Sequence, residues 1–492
     1  MWGINVLWIV GLAIQAEKAP DTRQATGVKV GEVSQTSAIL WVRLTARTSR
    51  NARGILRKGR PAKRLPSNIS ADALEGACPG APGRVRLRLG PMEELEDTIN
   101  TGWVPVTAKT DFTHQFRLSE LKPGTVYQFT VDTADTFGEA RHDALRGRFE
   151  TAPPRDAYAD VTFTVITGQA YKDVDHPEGF HIYEAMAKLR PKFIVPTGDT
   201  VYYDSEDPLA CTPAVARYHW HRMYSLPRHV AFHLRVPGYW MKDDHDTIIN
   251  DCWPGMKQTK MLPMTFPQGQ RIFREQVPMG EKTYRTYCWG QALQIWLVEG
   301  RDFRSPNTMK AGPDKTIWGE AQKQWLKRTI LDSDADWKVL ISPTPLVGPD
   351  RDNKADNHAN AAFAHEGGEI RQWLHKYVPN SLFAVCGDRH WQYHSIDPET
   401  GVHEFCCGPA SDEHAGGVPR GKKHRYAFLR VKGGFLSVAV HRSGVRSVIT
   451  FRHHDVRGNV VYEQTRAMAA PSTSRPATSA QTRQIKRRAL RR

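Results

Sequence analysis

The chain has 492 residues, 40% of them hydrophobic and 24% charged, and its 68 lysines and arginines against 52 acids give a formal net charge of +16. The 14 Trp, 15 Tyr and 18 Phe are too many for a disordered chain, and the length suits two or three domains. A single short apolar run excludes a polytopic membrane protein, and glycine and proline without a three-residue period exclude collagen.

That apolar run lies at the start of the chain. Residues 5–15 have the length of a signal-peptide core, Ala16 stands where cleavage would follow, and charge resumes at Glu17. A signal peptide over 1–16 and export to the periplasm, the cell surface or the medium are expected, with a buried strand as the alternative reading. The cysteines are Cys78, Cys211, Cys252, Cys288, Cys386, Cys406 and Cys407. Their odd number, and the lack of any C-x-x-C pair, argue against a disulfide framework and against a thiolate zinc site.

Residues 20–152 read as an all-β domain. Val28, Val30 and Val33 alternate with polar residues, and Ala38–Val42 is rich in apolar and β-branched residues. Between them and the next strand, residues 43–64 carry nine Lys/Arg and no acid. The Arg- and Gly-rich stretch 50–92 predicts a long loop or insertion. Pro123-Gly124 then supplies a turn, and Thr125–Val131 alternates as a strand. The pattern is similar to a fibronectin type III or immunoglobulin-like sandwich, with Tyr127 in the place of a corner tyrosine. Thr151-Ala-Pro-Pro-Arg155 serves as a linker.

A second domain over 156–465 alternates strands and helices. Strands are predicted at 161–166, 193–195, 337–341 and 381–386, and helices at 179–189 and 318–331. This is an α/β layer with ligand-bearing loops at strand ends. Residues 467–492 carry seven Lys/Arg and no acid amid Ala, Ser, Thr and Pro, and read as a disordered tail. Such a tail solubilises the chain or attaches it to an anionic polymer or lipid surface. No nucleic-acid recognition motif accompanies the charge.

Three acidic motifs fall on loops. They are Gly198-Asp199-Thr-Val-Tyr202-Tyr-Asp204, Asp243-Asp244-His245-Asp246-Thr-Ile-Ile-Asn250-Asp251 and Gly387-Asp388-Arg389-His390. The first and third follow predicted strands. A glycine before Asp199 and before Asp388 permits a tight turn and a close backbone approach. Carboxylate, amide and imidazole donors together suit hard or borderline metals acting on phosphate. Each motif alone also fits a solvated turn or a helix cap. Trp240, Trp253, Trp391 and His414 are candidates to line a pocket, with packing or a solvated loop as the alternative.

The order GDTVYYD, DDHDTIIND, GDRHW resembles the PhoD-like alkaline phosphatases of the metallophosphatase superfamily. The preceding β-sandwich and the segment Gly300-Arg-Asp-Phe-Arg304 add to the resemblance, which covers about residues 20–465. It implies a four-layer αββα core with two or three metals, iron with calcium. It places Asp199 as the bridging carboxylate, Tyr202 as the tyrosinate, and Asn250, Asp388 and His390 as further ligands. His245 takes the place of a proton donor or transition-state contact. From the residues alone, Lys172 and Arg389 are candidates to stabilise added negative charge, with a packing or salt-bridge role as the alternative for Arg389. One departure stands out. Gly168 occupies the position of a metal-binding cysteine, which also admits another divalent metal; water, Gln169 or Asp173 are candidates to fill the gap. The implied activity is hydrolysis of phosphate monoesters or diesters. The alternatives are a phospholipase D-like phosphodiesterase on polyanionic or lipid substrates, and a non-catalytic surface-binding protein with a degenerate metal site.

Overall fold

Alternation is the rule in the first 150 residues. In the strand Gly83–Pro91, Val85, Leu87 and Leu89 are buried while Arg84, Arg86 and Arg88 between them face outward. The structure is a computed structural model that describes residues 21–94 and 99–468. The proposed signal peptide at 1–16, and all but the first two residues of the basic tail, lie outside them.

One sheet of the sandwich orders the strands Lys29–Gly31, Ala38–Arg43 and Thr113–Leu118. The other orders Ile99–Asn100, Gly83–Pro91, Val126–Ala134 and Leu145–Glu150, with Val104–Val106 paired to Gly83–Pro91. Val30, Leu40, Val42, Leu87, Phe116 and Val131 fill the space between them. Tyr127 is a corner tyrosine in fact, because its hydroxyl accepts the Lys122 N–H at 2.8 Å. The loop expected over 50–92 stops short. It runs to residue 82 with one 3-10 turn, Ala71–Ala73, and Gly83–Pro91 is a strand. Its arginines disguised a period of two.

The second domain packs two sheets face to face. The first sheet has five strands in the order Phe193–Pro196, Val161–Ile166, Phe435–Ser443, Arg446–His454, Val460–Ala467. The second has seven, in the order Arg285–Trp289, Leu293–Leu297, Trp337–Ser342, Leu382–Cys386, His403–Cys406, Gln392–Ile396, Tyr426–Arg430. Phe163, Val195, Ile295, Ile341, Phe405 and Val438 meet between the sheets. Each side chain buried to this degree contributes about 1.5–3 kcal/mol.

Helices cover both outer faces. His181–Lys188, Pro213–Tyr224, Pro227–His233 and Phe266–Gln276 share a core with Ile166, Ile194 and Phe435 of the first sheet. Gly319–Leu331 and Ala364–Tyr377 share one with Trp296, Leu340 and Ala384 of the second. The order of layers is therefore αββα, as the resemblance implied. No helix among the described residues is long and apolar enough to cross a membrane, and all seven cysteines are free thiols.

The two domains are joined through buried polar contacts. Gly238 bridges to Gly31 of the sandwich and to Ile194 of the first αββα sheet. Arg43 donates to Asp111 through Nε and Nη2, both at 3.0 Å. Asp111 also pairs with His221 Nε2 at 2.6 Å and accepts from Gln276 Nε2 at 2.8 Å. Arg285 is held by Glu32, with Nη2 to Oε1 at 2.8 Å. Lys29 is buried over the rings of Trp41, at 3.6 Å, and Tyr224, at 4.1 Å.

Candidate metal centre

Parallel strands deliver the loops. Val161–Ile166 and Phe193–Pro196 lie side by side in register and run into Thr167-Gly168-Gln169 and Thr197-Gly198-Asp199. Leu382–Cys386, from the other sheet, runs into Gly387-Asp388-Arg389-His390. These loops close on one another and on the loop that carries Asp243 because two residues lack a Cβ. A Cβ on Gly198 would lie 2.5 Å from Asp243 Cβ, and one on Gly387 would lie 2.3 Å from Thr197 Oγ1. Backbone contacts complete the closure, with Gln169 N–H donating to Asp199 O at 2.8 Å. Asp199 and Asp388 both adopt positive φ, +53° and +61°, in the left-handed region that side chains other than glycine rarely take. Such strain persists where surrounding structure over-determines it, often at functional sites.

Donor atoms converge at these loop ends. Asp199, Asp244 and His245 each offer a ligand atom, and these atoms lie within 4.8 Å of one another. Tyr202 Oη donates to Asp199 Oδ2 at 3.1 Å and sits 3.3 Å from His390 Nε2 and 2.8 Å from His414 Nε2. His390 Nε2 is 3.8 Å from Asp199 Oδ2. His245 Nδ1 bonds Asp204 Oδ1 at 2.5 Å.

The electrostatics of the cluster are unbalanced. Asp199, Asp243, Asp244 and Asp246 are all buried. Burial, reinforced by the neighbouring carboxylates against the pull of His245, pushes Asp199 well above the usual carboxylate range. Burial likewise holds Asp246 at about 8, and raises the Tyr202 phenol, which faces Asp199. Asp243 is bonded by Arg301 Nε at 2.5 Å, and Arg301 with His245 keeps Asp244 ionised in spite of its burial. Burial acts to lower the His245 imidazole, but Asp204, Asp244 and Asp199 outweigh it and raise its pKa well above the ordinary value. His390 goes the other way, pushed down by burial and then by His414 and Arg389.

The donors fit a bound cation. Asp199 Oδ1 is buried with no hydrogen-bond partner. A buried carboxylate oxygen left unpaired is costly, and a metal ion is the group that satisfies it and quenches the repulsion around it. Carboxylates, a phenol and imidazoles form a mixed oxygen and nitrogen set suited to hard or borderline ions.

Comparison with known proteins agrees with this geometry. The family model described as PhoD-like phosphatase matches residues 163–432, and that of the PhoD-like phosphatase N-terminal domain matches residues 11–153. This chain belongs to the PhoD-like phosphatase family. Alkaline phosphatase D of Bacillus subtilis (strain 168) is 20% identical to it over 381 residues, 69% of this chain and 59% of that protein. The chain therefore spans less than two thirds of the curated relative it matches. Among solved structures, that of PhoD superposes with a TM-score of 0.68 at 14% identity, covering 97% of this chain and 98% of the other. The purple acid phosphatase PPD1 of yellow lupin (Lupinus luteus) gives a TM-score of 0.57 at 11% identity, covering 89% and 73%. These two likenesses establish the fold.

Within this chain, the structure brings Asp199, Tyr202, His245 and His390 together. Asp388 shares the His390 loop, with its carboxylate turned onto the Arg389 guanidinium. Asn250 lies beside them, next to the carboxylate that holds His245. The segment after Asp244 winds through successive turns, and Asn250 is exposed, with its backbone N–H donating to Asp204 Oδ2 at 3.1 Å. Asp244 stands beside Asp199 and His245. The doubled aspartate before His245 was the available signal, but spacing alone does not say which of two adjacent carboxylates faces inward. Arg389 is fully buried between Asp350, at 3.2 Å, and Asp356, at 3.4 Å, so it braces its loop and cannot reach a substrate. Lys172 is half-buried. Trp240 and Trp391 are core residues, while Trp253 is half-buried.

Proposed function

We propose that this chain is a metal-dependent phosphoesterase that hydrolyses phosphate monoesters or diesters. The observation that carries this reading is the buried, unpartnered Asp199 Oδ1 amid Tyr202, Asp244, His245 and His390. Asp199, Tyr202, Asp244 and His390 would hold the metal, joined by Asp388 on the same loop. When bound, such ions act as Lewis acids on phosphoryl oxygens and lower the pKa of water at neutral pH. The protein residues do the rest. His245 stands at the edge of the cluster, where Asp204 fixes Nδ1 and, with the neighbouring carboxylates, favours the protonated imidazole. It is placed to protonate the departing alkoxide, as a general acid does. Asp243, pinned by Arg301, and Asp246, which accepts the N–H groups of Asp243 at 2.6 Å and Thr200 at 3.2 Å, keep the second loop in position.

Iron with calcium is the metal pair that the family resemblance supports, and a donor set rich in carboxylate with one phenol is compatible with it. The gap at Gly168 leaves other divalent ions open. Elemental analysis of the purified protein, paired with hydrolysis of aryl phosphate mono- and diesters, tests the reading. Two or three metals per chain and turnover abolished by Asp199→Ala support it. A metal-free, inactive protein that cannot be reconstituted overturns it and favours the surface-binding alternative.

A second reading, a diesterase acting on polyanions or lipid headgroups, is favoured by the basic stretch 43–64. Arg57 bonds Asp207 at 2.8 Å, and Arg60, largely exposed, pairs at 3.3 Å with Asp173, the partner of His414. This cationic rim beside the centre raises the local concentration of polyanions. The ester preferred in the same assay decides between the two. We also infer export through residues 1–16 and attachment to an anionic surface through the basic tail. The N-terminal sequence of the protein recovered outside the cytoplasm, and loss of vesicle or wall binding on deleting 469–492, are the measurements for these.

A further inference from the structure

His414 was only one of several pocket candidates in the sequence, and its surroundings set it apart from the others. It closes the short 3-10 turn Asp412–His414. The segment that leads to it lies along the first loop, with Pro409 bridged to Thr167 and Ala410 N–H donating to Gly168 O at 3.3 Å. Gly168 has φ +59°, and a Cβ there would meet Pro409 Cβ at 3.2 Å and His414 Cδ2 at 3.3 Å. The room that a side chain at 168 would need is thus taken by Pro409 and the His414 imidazole.

Both ring nitrogens of His414 are engaged, and in different ways. Nδ1 is 2.9 Å from Asp173 Oδ2, a carboxylate that is itself buried. Nε2 points into the cluster, 2.8 Å from Tyr202 Oη, and the ring centroid is 4.1 Å from that of His390. A carboxylate on one nitrogen fixes the tautomer so that the other presents its lone pair, which is how metal-bound imidazoles are held. Two imidazoles and a phenol oxygen meeting at such distances, next to Asp199, form one side of a coordination shell.

We propose that His414 is a metal ligand of this centre through Nε2, and that Asp173 is the positioning residue that orients it. The proposal rests on the metal-dependent reading above. The imidazole reaches the cluster across Gly168, supplying from the far end of the domain a donor that the first loop itself lacks.

Binding of Co(II) to the chelator-stripped full chain, followed by titration calorimetry and the visible spectrum, tests this without reference to turnover. His414→Ala should weaken one Co(II) site by about a hundredfold and change its spectrum, and added imidazole should restore the spectrum. His414→Gln keeps polar contacts to Tyr202 and Asp173 while removing the imidazole, and should give the same loss with an unchanged apo-protein melting curve. Asp173→Asn should weaken binding by about tenfold alone and add nothing in the His414→Ala background. If wild type binds Co(II) and His414→Gln, folded, binds it with equal affinity and an identical spectrum, His414 is not a ligand and the phosphoesterase reading stands. If stripped wild type binds no metal at all, the metal-dependent reading and this proposal fall together.

Discussion

Two buried polar clusters lie in this molecule, and they differ in how their charges are settled. At the domain junction, Asp111 accepts from Arg43, His221 and Gln276, and Arg43 spends its third arm on Cys78 O at 2.7 Å. At the loop ends, four buried aspartates crowd together and Asp199 Oδ1 has no partner. The junction is complete as folded, whereas the loop cluster is complete only with something added. Burial and charge density alone do not separate structural from functional polar groups here. What separates them is whether the protein's own atoms satisfy the set.

The sharpest way to break that comparison is to make the same change in both clusters. Asp199→Asn should lower turnover by about a thousandfold yet leave the melting temperature of the metal-free protein nearly unchanged, because burial among carboxylates already disfavours the charged form of Asp199. Asp111→Asn or Asp111→Ala should act in the opposite sense. Stranding Arg43 in the interior costs about 3–5 kcal/mol, read as a lower midpoint in urea, while the folded fraction keeps its metal content.

Replacing His245 with Gln should reduce kcat by about a hundredfold for alkyl phosphates and much less for nitrophenyl esters, whose leaving group needs no proton. Equal losses for both classes would assign His245 to binding rather than to acid catalysis.

A pH titration of stability sharpens the junction side. Burial alone would raise the Asp111 pKa, but His221 and Arg43 overcome it and hold the carboxyl far below its ordinary range. Its stabilisation is therefore full above an unfolded-state pKa of about 3.9 and is lost as pH falls below that value, where the unfolded chain takes up a proton that folded Asp111 refuses. Unfolding free energy measured between pH 5 and pH 3 should show this slope, and Asp111→Asn should flatten it. The smallest effect belongs to Tyr127→Phe, which should cost about 1 kcal/mol by leaving the Lys122 N–H unpaired, with metal binding unchanged.

Much of this was legible in the sequence. Val161–Ile166, Phe193–Pro196 and Trp337–Ser342 are strands rich in buried apolar residues, and their pattern placed them within a residue or two. The Gly-Asp loops were legible because a turn, a close approach and a ligand all ask for the same residue pair. The helix Pro213–Tyr224 was not. Its buried positions include His219, His221 and Arg222, so no apolar stripe marks it, and those residues are buried only because Glu206 and Asp111 meet them there. Gly83–Pro91 was hidden for the converse reason, since arginines on its outer face gave it the composition of a loop. At the centre, residue types foretold a metal site, but the place of Asp244 beside Asp199 and His245 turned on the path of a turn, which no spacing rule fixes.

The first sheet has one more consequence, and it concerns time rather than space. Val161–Ile166, which carries the first loop of the centre, pairs on one side with Phe193–Pro196 and on the other with Phe435–Ser443, the start of the last three strands among the described residues. A ribosome delivers the chain from its N-terminus, so this strand waits for a neighbour made more than two hundred residues later. Contacts so distant along the chain form late and slowly. The loops that hold the acidic cluster therefore rest on an open sheet edge until residues 435–443 have been made, and the centre cannot reach its final packing before that point.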